Sequence, residues 1–232
     1  MFEKAYNYFF RIFKMLSFSG RYNLSDSSFL ELTSNKLKTT EEEVNAILDF
    51  MKVKVQKTPN PRNPRTFLKR KQCTFVLPGI TDYEFGQHND TFRSESDEWP
   101  AIVKHALKVV HRYAERNGID PDLYNGVHAV FYENGLVGLN PHADKEDSML
   151  EGMPIFSFTL LKDASKPRAF SIYKWNNEKL FDVMLQHGDM LVMGGKMQKQ
   201  FKHGVEKARP PRLYKNAPRI NLTVRAFQKR QK

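Results

Sequence analysis

The sequence predicts an α+β protein, helical in its first half and β in its second. Apolar residues recur at helical spacing in "TTEEEVNAILDFM" and again after Trp99-Pro100, whereas from residue 127 onward the period falls to two. Short apolar runs separated by polar turns then continue almost to the carboxyl terminus, the pattern of a sandwich, barrel or jelly roll.

The first helix begins at Thr40, which with Glu43 makes a capping box, and Val44, Ile47, Leu48 and Met51 form its apolar stripe. Prolines at 59, 61 and 64 break all periodicity, so "QKTPNPRNPRTF" is expected to be an extended connector between an N-terminal extension and the main body. The second helix has proline in its first turn, Ile102, Ala106, Val109 and Tyr113 on one face, and Gly118 to stop it. In "VHAVFYENGLVGL" the spacing predicts a strand, a turn at Asn134-Gly135 and a second strand. "PIFSFTLL", "RAFSIYKW", "KLFDVML", "DMLVMGG" and "RINLTVRAF" complete the β body.

A chain of 232 residues, 40% hydrophobic, can bury one sizeable core with an appendage. Its formal charge of +11 serves either solubility or attraction to a polyanion, and argues against a neutral small molecule as partner. The single cysteine, Cys73, cannot form an intramolecular disulfide and reads as a buried strand thiol, so an intracellular, reducing compartment is expected. Aromatic residues at 2, 6, 9, 10 and 13 approach helical spacing, but Glu3, Lys4, Arg11 and Lys14 interrupt them, so no stable membrane span is expected there. That segment fits either a membrane-surface helix or one docked on the body. The runs "KRK" and "QKRQK" hint weakly at nuclear entry and leave nucleus and cytoplasm open.

Two His-x-Asp triplets occur, His142-Ala143-Asp144 and His187-Gly188-Asp189, so that spacing alone decides nothing. "QHGD" lies between two apolar strands and is explained by turn chemistry. "PHAD" ends a strand, where residues i and i+2 project from one face, so an imidazole and a carboxylate could share a cation. A catalytic metal needs a third ligand, and the candidates are His88, His105, His111, His128, His187 and His203. His203 is the most attractive because "QFKHGV" follows a strand that can return across a barrel; its bland reading is a loop histidine near Lys199 and Lys202. Two histidines and a carboxylate form the facial triad of non-heme Fe(II), with positions left for co-substrate and oxygen.

In "RINLTVR", residues 219 to 225, alternation puts Ile220, Leu222 and Val224 on one face and Arg219, Asn221, Thr223 and Arg225 on the other. The two arginines stand roughly 20 Å apart along a strand. Were that face inside a barrel, buried guanidinium groups would need anions, and a small dicarboxylate would supply one at each end. Were it solvated, no partner would be needed.

"PHADKED", "HGDMLVMGG", "FKHGV" and "PRINLTVRAF", in that order, resemble the AlkB family of Fe(II)- and 2-oxoglutarate-dependent dioxygenases, and its alkylated-DNA repair members most of all. The likeness runs upstream through "RKQCTF", "TDYEF", "WP" and "YNGVHAVFYENG", covering roughly residues 64 to 227, with residues 1 to about 56 outside it. It implies a double-stranded β-helix, or jelly roll, with supporting helices: a helical N-terminal extension (1–56) and a dioxygenase domain (57–232) carrying a nucleotide-recognition lid at about 66–98. It implies Fe(II), 2-oxoglutarate and O2 as cofactors, with His142, Asp144 and His203 binding iron. Arg219, Asn221 and Arg225 look like the 2-oxoglutarate clamp, joined by Tyr132, ten residues before His142. The family usually has an asparagine two positions before that tyrosine, whereas Val130 stands here, so co-substrate binding is expected to be weaker or rearranged. Glu146 occupies the place of an aspartate near the exocyclic amine of the target base.

By the same resemblance Tyr83 and Phe85 lie on the lid, where aromatic rings can stack on a flipped base. Read from the strand pattern alone, they fill a core equally well. Arg70 and Lys71 are candidates to contact phosphates, or are part of a solvated face. The function implied is oxidative demethylation of N1-methyladenine and N3-methylcytosine in DNA by a monomer. RNA as substrate, or a jelly roll that binds nucleic acid without turnover, are the alternatives.

Overall fold

The computed structural model describes residues 15–16, 19–60, 63–80, 90–94 and 98–229. Among these, two sheets face each other. The first strands are β1 (Met15–Leu16), β2 (Gly20–Ser25) and β3 (Ser28–Thr33), followed by helix α1 (Glu41–Val53). Next come β4 (Lys57–Asn60), β5 (Asn63–Val76), β6 (Asp90–Arg93) and helix α2 (Ala101–Arg116). The β body comprises β7 (Gly126–Tyr132), β8 (Leu139–His142), β9 (Ile155–Leu161), β10 (Arg168–Tyr173), β11 (Lys179–Leu185), β12 (Met190–Gly195), β13 (Lys202–Val205) and β14 (Arg219–Arg225), with a short helix α3 (Met197–Gln200) before β13.

The larger sheet runs β2-β3-β12-β9-β14-β7-β5-β4, with β6 beside β5, and the smaller runs β1-β11-β10-β13-β8. One face of the larger sheet presents Phe158, Leu222 and Ala129 to α1 and α2, which bury Ile47, Met51, Ile102 and Ala106 against it. Its other face meets the smaller sheet through Leu30, Leu191, Ile172 and Val183. A sheet covered on both faces explains why β7 and β9 are buried along their whole length. The architecture is the jelly roll with supporting helices that the resemblance implied, one of the three β arrangements that the alternation allowed.

The capping box of α1 is formed: Glu43 N–H donates to Thr40 Oγ1 at 3.2 Å and Thr40 N–H to Glu43 Oε2 at 2.9 Å. Helix α2 starts after Pro100, and Gly118 adopts φ +67° just beyond it. Cys73 is fully buried on β5, and burial pushes its thiol well up.

Three readings of the sequence differ from the structure. Among the described residues of the N-terminal extension the helical part is α1, and residues 20–33 form a hairpin whose β3 continues the larger sheet against β12. The aromatic stretch 2–13 lies outside the described residues. Secondly, the proline-rich segment is not a plain connector: β4 and β5 pair antiparallel, and proline is tolerated at Pro59 because β4 is the sheet edge, where a missing N–H removes no ladder bond. Thirdly, β7 and β8 do not form a hairpin, since they belong to different sheets. The turn between them crosses from one sheet to the other, tied down by Gly135 N–H to the Tyr214 carbonyl and Ala208 N–H to the Gly135 carbonyl, both 2.8 Å.

The expected division near residue 57 thus falls between elements of one sheet and one core. Expressing residues 57–232 alone would expose the β12 edge and the sheet face under α1. That fragment is expected to be aggregated, without a cooperative unfolding transition in circular dichroism; a soluble fragment with a native-like transition would restore the division.

Candidate metal centre and its cavity

Strands β8 and β13 pair antiparallel in the smaller sheet with His142 directly opposite His203. Close approach is possible because Gly204 and Gly138 stand at the crossing. A Cβ on Gly204 would meet the Leu139 carbonyl at 2.7 Å, and one on Gly138 the Val205 carbonyl at 2.6 Å. The two imidazole centroids are 4.3 Å apart. Asp144 follows at the end of β8, with its Oδ1 3.5 Å from His142 Nε2 and its Oδ2 3.9 Å from His203 Nε2. Ligand atoms of His142, Asp144 and His203 all lie within 4.8 Å of one another, a geometry that could hold one metal ion.

The surroundings fix the state of each group. His142 Nδ1 donates to the Asn140 carbonyl at 3.0 Å, which leaves the Nε2 lone pair facing Asp144. Burial works to raise the Asp144 carboxyl, but Arg225 at 3.0 Å and the adjoining imidazoles of His142 and His203 hold it well below the usual carboxylate range. For His203, burial together with His142 and Arg225 outweighs the pull of Asp144 and lowers its pKa from 6.5 to about 3. At neutral pH these two groups therefore present a carboxylate and a neutral imidazole, the forms that bind metal.

Strand β14 supplies the cavity floor. Arg219, Asn221, Thr223 and Arg225 face the smaller sheet while Ile220, Leu222 and Val224 join the helix-side core. Arg219 is 1% exposed and Arg225 5%, so the inward reading of "RINLTVR" is the one observed. Arg225 binds Asp144, and its Nη1 lies 3.5 Å from Glu146 Oε1. Arg219 lies over the Tyr132 ring and donates through Nη2 to Thr159 Oγ1 (3.1 Å) and Asn221 Oδ1 (2.9 Å). Among the described residues no carboxylate pairs with Arg219, and its Nε and Nη1 find no acceptor.

The sequence model of the 2OG-Fe(II) oxygenase superfamily matches residues 29–225. The chain belongs to that superfamily. It is a dioxygenase of Fe(II), 2-oxoglutarate and O2, and the buried side chains fit those groups: a His-Asp-His cluster for the metal and, at Arg219, an unmatched buried cation for an acid. The match begins at residue 29, inside the segment expected to lie outside the resemblance, because β3 is a strand of the oxygenase sheet itself. A solved structure, "The structure of OsALKBH1", shares the fold with a TM-score of 0.55 at 23% identity, covering 88% of this chain and 100% of that chain. No curated protein matches the chain in sequence.

The oxygenase cavity is also lined by Gln72 of β5 and Ser157 of β9, which motif reading missed, and by His128 of β7, which is placed there as a lining residue and not in the His-Asp-His cluster; Thr74 and Thr159 are buried beside them. His128 Nδ1 lies 3.1 Å from Thr74 Oγ1, and burial with the charges of Arg225 and Arg70 holds the imidazole well below its ordinary pKa. The available signal was polar residues at every second place in otherwise apolar strands, as in "RKQCT" and "SFT".

Other expected residues fall elsewhere. Arg70 and Glu146 line the cavity. Lys71, one residue along β5, points to the opposite side, where its Nζ donates to the Lys52 carbonyl at the end of α1. Tyr83 and Phe85 lie outside the described residues. His187-Gly188-Asp189 is a turn: Gly188 has φ +78°, and Asp189 accepts from the N–H groups of Asn35 and Gln186.

Arg168 has a supporting role that no motif announced. Fully buried at the start of β10, it donates to the carbonyls of Val137 (2.9 Å) and Glu206 (2.8 Å), clamping the segments that lead into β8 and out of β13. Arg168→Met is expected to cost about 1–3 kcal/mol in urea unfolding, since buried carbonyls lose their donor, and to weaken Mn(II) binding as His142 and His203 lose their register. Unchanged metal affinity would leave the clamp a purely structural one.

The depressed imidazole of His203 gives a signed pH expectation. Between pH 6.5 and about 3 the unfolded chain carries a proton on this residue that the folded chain lacks, so stability is full above 6.5 and falls as pH falls through that window. Chelator-treated protein should unfold at lower urea at pH 5 than at pH 7, and His203→Gln should narrow that difference. Equal losses in the two proteins would refute it.

Proposed function

We propose that this oxygenase demethylates alkylated bases in nucleic acid, with N1-methyladenine and N3-methylcytosine in DNA as its substrates. The observation that carries the reading is the continuity between the metal cavity and a basic groove. Lys69, Arg70, Lys207 and Arg209 line that groove beside the exposed side chains of Phe67 and Leu136. Among its described lining residues the acidic one is Glu206, which is engaged by Lys179 and Tyr173. Arg70, Leu139 and Val205 border groove and cavity alike. Cations with interleaved apolar side chains suit a phosphate backbone and its bases, and the fold shared with OsALKBH1 agrees with an AlkB-type enzyme.

In this reading His142, Asp144 and His203 hold Fe(II). Arg219 and Tyr132 take the distal carboxylate of 2-oxoglutarate, because on the inward face of β14 Arg225 is paired with Asp144 whereas Arg219 leaves Nε and Nη1 without an acceptor among the described residues. Arg225 keeps Asp144 ionised and aimed at the metal, and Asn221 holds Arg219 in place. Bound there, Fe(II), 2-oxoglutarate and O2 supply oxidation of the N-methyl carbon, giving succinate, CO2 and a hemiaminal that releases formaldehyde. No side chain need act as nucleophile; the protein positions the base and excludes water. Glu146, at the cavity mouth and beside Arg225, is placed to accept a hydrogen bond from the exocyclic amine of the base. Methylation at these nitrogens blocks pairing and so lowers the cost of extracting the base.

Formaldehyde release from oligonucleotides carrying either lesion tests the reading. Single-stranded DNA, duplex DNA and RNA are compared at fixed salt, since affinity for a polyanion falls steeply as salt rises. Release should depend on Fe(II) and 2-oxoglutarate and fall at least about 100-fold in His142→Ala and Asp144→Ala, as expected when a metal ligand is lost. Release from RNA alone would reassign the substrate. Binding of nucleic acid with no turnover of 2-oxoglutarate would leave a binding jelly roll.

A further inference from the structure

We propose that Gln72 supplies the amide that fixes 2-oxoglutarate at mid-cavity, where β7 carries the apolar Val130. This rests on the co-substrate reading above.

The argument begins with strand register. Asn221 lies directly across from Val130 on the neighbouring strand, and Val130 lies directly across from Gln72 on the next, so the three form one row over the cavity floor. All three line the cavity, and Gln72 is 2% exposed. The parallel row on one side begins with Arg219 and Tyr132; the row on the other side is Thr223, His128 and Thr74. The Gln72 row therefore runs between the unmatched guanidinium and the end of the floor nearer Arg225.

The amide of Asn221 is largely engaged by the protein. Its Oδ1 accepts from Ser157 Oγ and Arg219 Nη2, both at 2.9 Å, and its Nδ2 donates to Thr223 Oγ1 at 2.7 Å. Val130 offers no hydrogen bond. Neighbouring strands are about 4.8 Å apart, a span that a glutamine side chain can lean across and an asparagine cannot. An amide on β5 thus reaches the space above Val130, where a carboxylate held by Arg219 would accept its N–H, a charge-assisted bond in a site screened from water. The resemblance places an asparagine amide at the Val130 position; here the same chemistry is reached from one strand further out.

Calorimetric titration of 2-oxoglutarate into Mn(II)-loaded protein, without turnover, tests this. Gln72→Leu should raise the Kd for 2-oxoglutarate about 10- to 100-fold, as loss of a hydrogen bond to a charged group does, with Mn(II) affinity unchanged. Adding Val130→Asn to that variant should recover most of the loss. Gln72→Asn keeps the amide but shortens it, and should show the same roughly 10- to 100-fold loss relative to wild type, which keeps the test open even if the leucine variant does not fold. Wild-type affinity in Gln72→Asn, a parallel loss of Mn(II) binding, or no recovery with Val130→Asn would each overturn the assignment. Arg219→Met separates the two levels: if that variant still binds 2-oxoglutarate normally, the underlying cavity reading fails, whatever Gln72 does.

Discussion

Two guanidinium groups sit on the inward face of one seven-residue strand, and the cavity is organised around neutralising them. Charge enclosed between two sheets costs several kcal/mol per ion unless it is paired. At one end the cost is offset within the chain, since Arg225 meets Asp144 at 3.0 Å and approaches Glu146. At the other end the partners of Arg219 among the described residues are a hydroxyl, an amide and a ring. One end of the strand thus prepares a carboxylate to serve as a metal ligand, and the other demands an acid from outside. A metal and a dicarboxylic co-substrate are complementary answers to a single electrostatic problem.

Placing such a strand in a buried sheet requires that both of its faces be accounted for. Ile220, Leu222 and Val224 anchor the back of β14 in the core beneath the helices, with β7 and β9 paired on either side. The ladder leaves the cationic face no rotation and no slip, because a shift of one residue would bury arginines under α1 and α2 and turn leucine into the cavity. The smaller sheet then has one task, to bring His142 and His203 opposite each other, and the glycines at the crossing together with the Arg168 clamp hold that pair close.

What could be read from the sequence follows from how local each determinant is. "RINLTVR" was legible because alternation over seven residues fixes two faces at once, and an arginine on the inner one has few acceptable fates. The capping box of α1 is equally local, complete within four residues. Strands β2 and β3 were not found: in "SFLELT" the alternation spans six residues, and its meaning depends on pairing with β12, about 160 residues away. The turn at Asn134-Gly135 carries good hairpin chemistry, yet local turn propensity cannot say which sheet the next strand joins. Arg70 and Lys71 looked alike as a basic pair, and only the phase of β5 separates the one that lines the cavity from the one that caps a helix.

The two His-x-Asp triplets show why position outweighs pattern. Around Gly188 the polar side-chain atoms have local uses: His187 binds Thr39 and the backbone of Leu161, while Asp189 closes its own turn and holds Asn35. A cation there would have to displace bonds that the fold needs. His142 uses Nδ1 on the Asn140 carbonyl but keeps Nε2 directed at Asp144, whose oxygens are shared between a histidine on either side and one arginine. The same three-residue spacing therefore yields a closed turn in one place and an open ligand set in the other. The difference lies in which hydrogen bonds the neighbouring strands have already claimed, an account that becomes readable only when the register of β8, β13 and β14 is known.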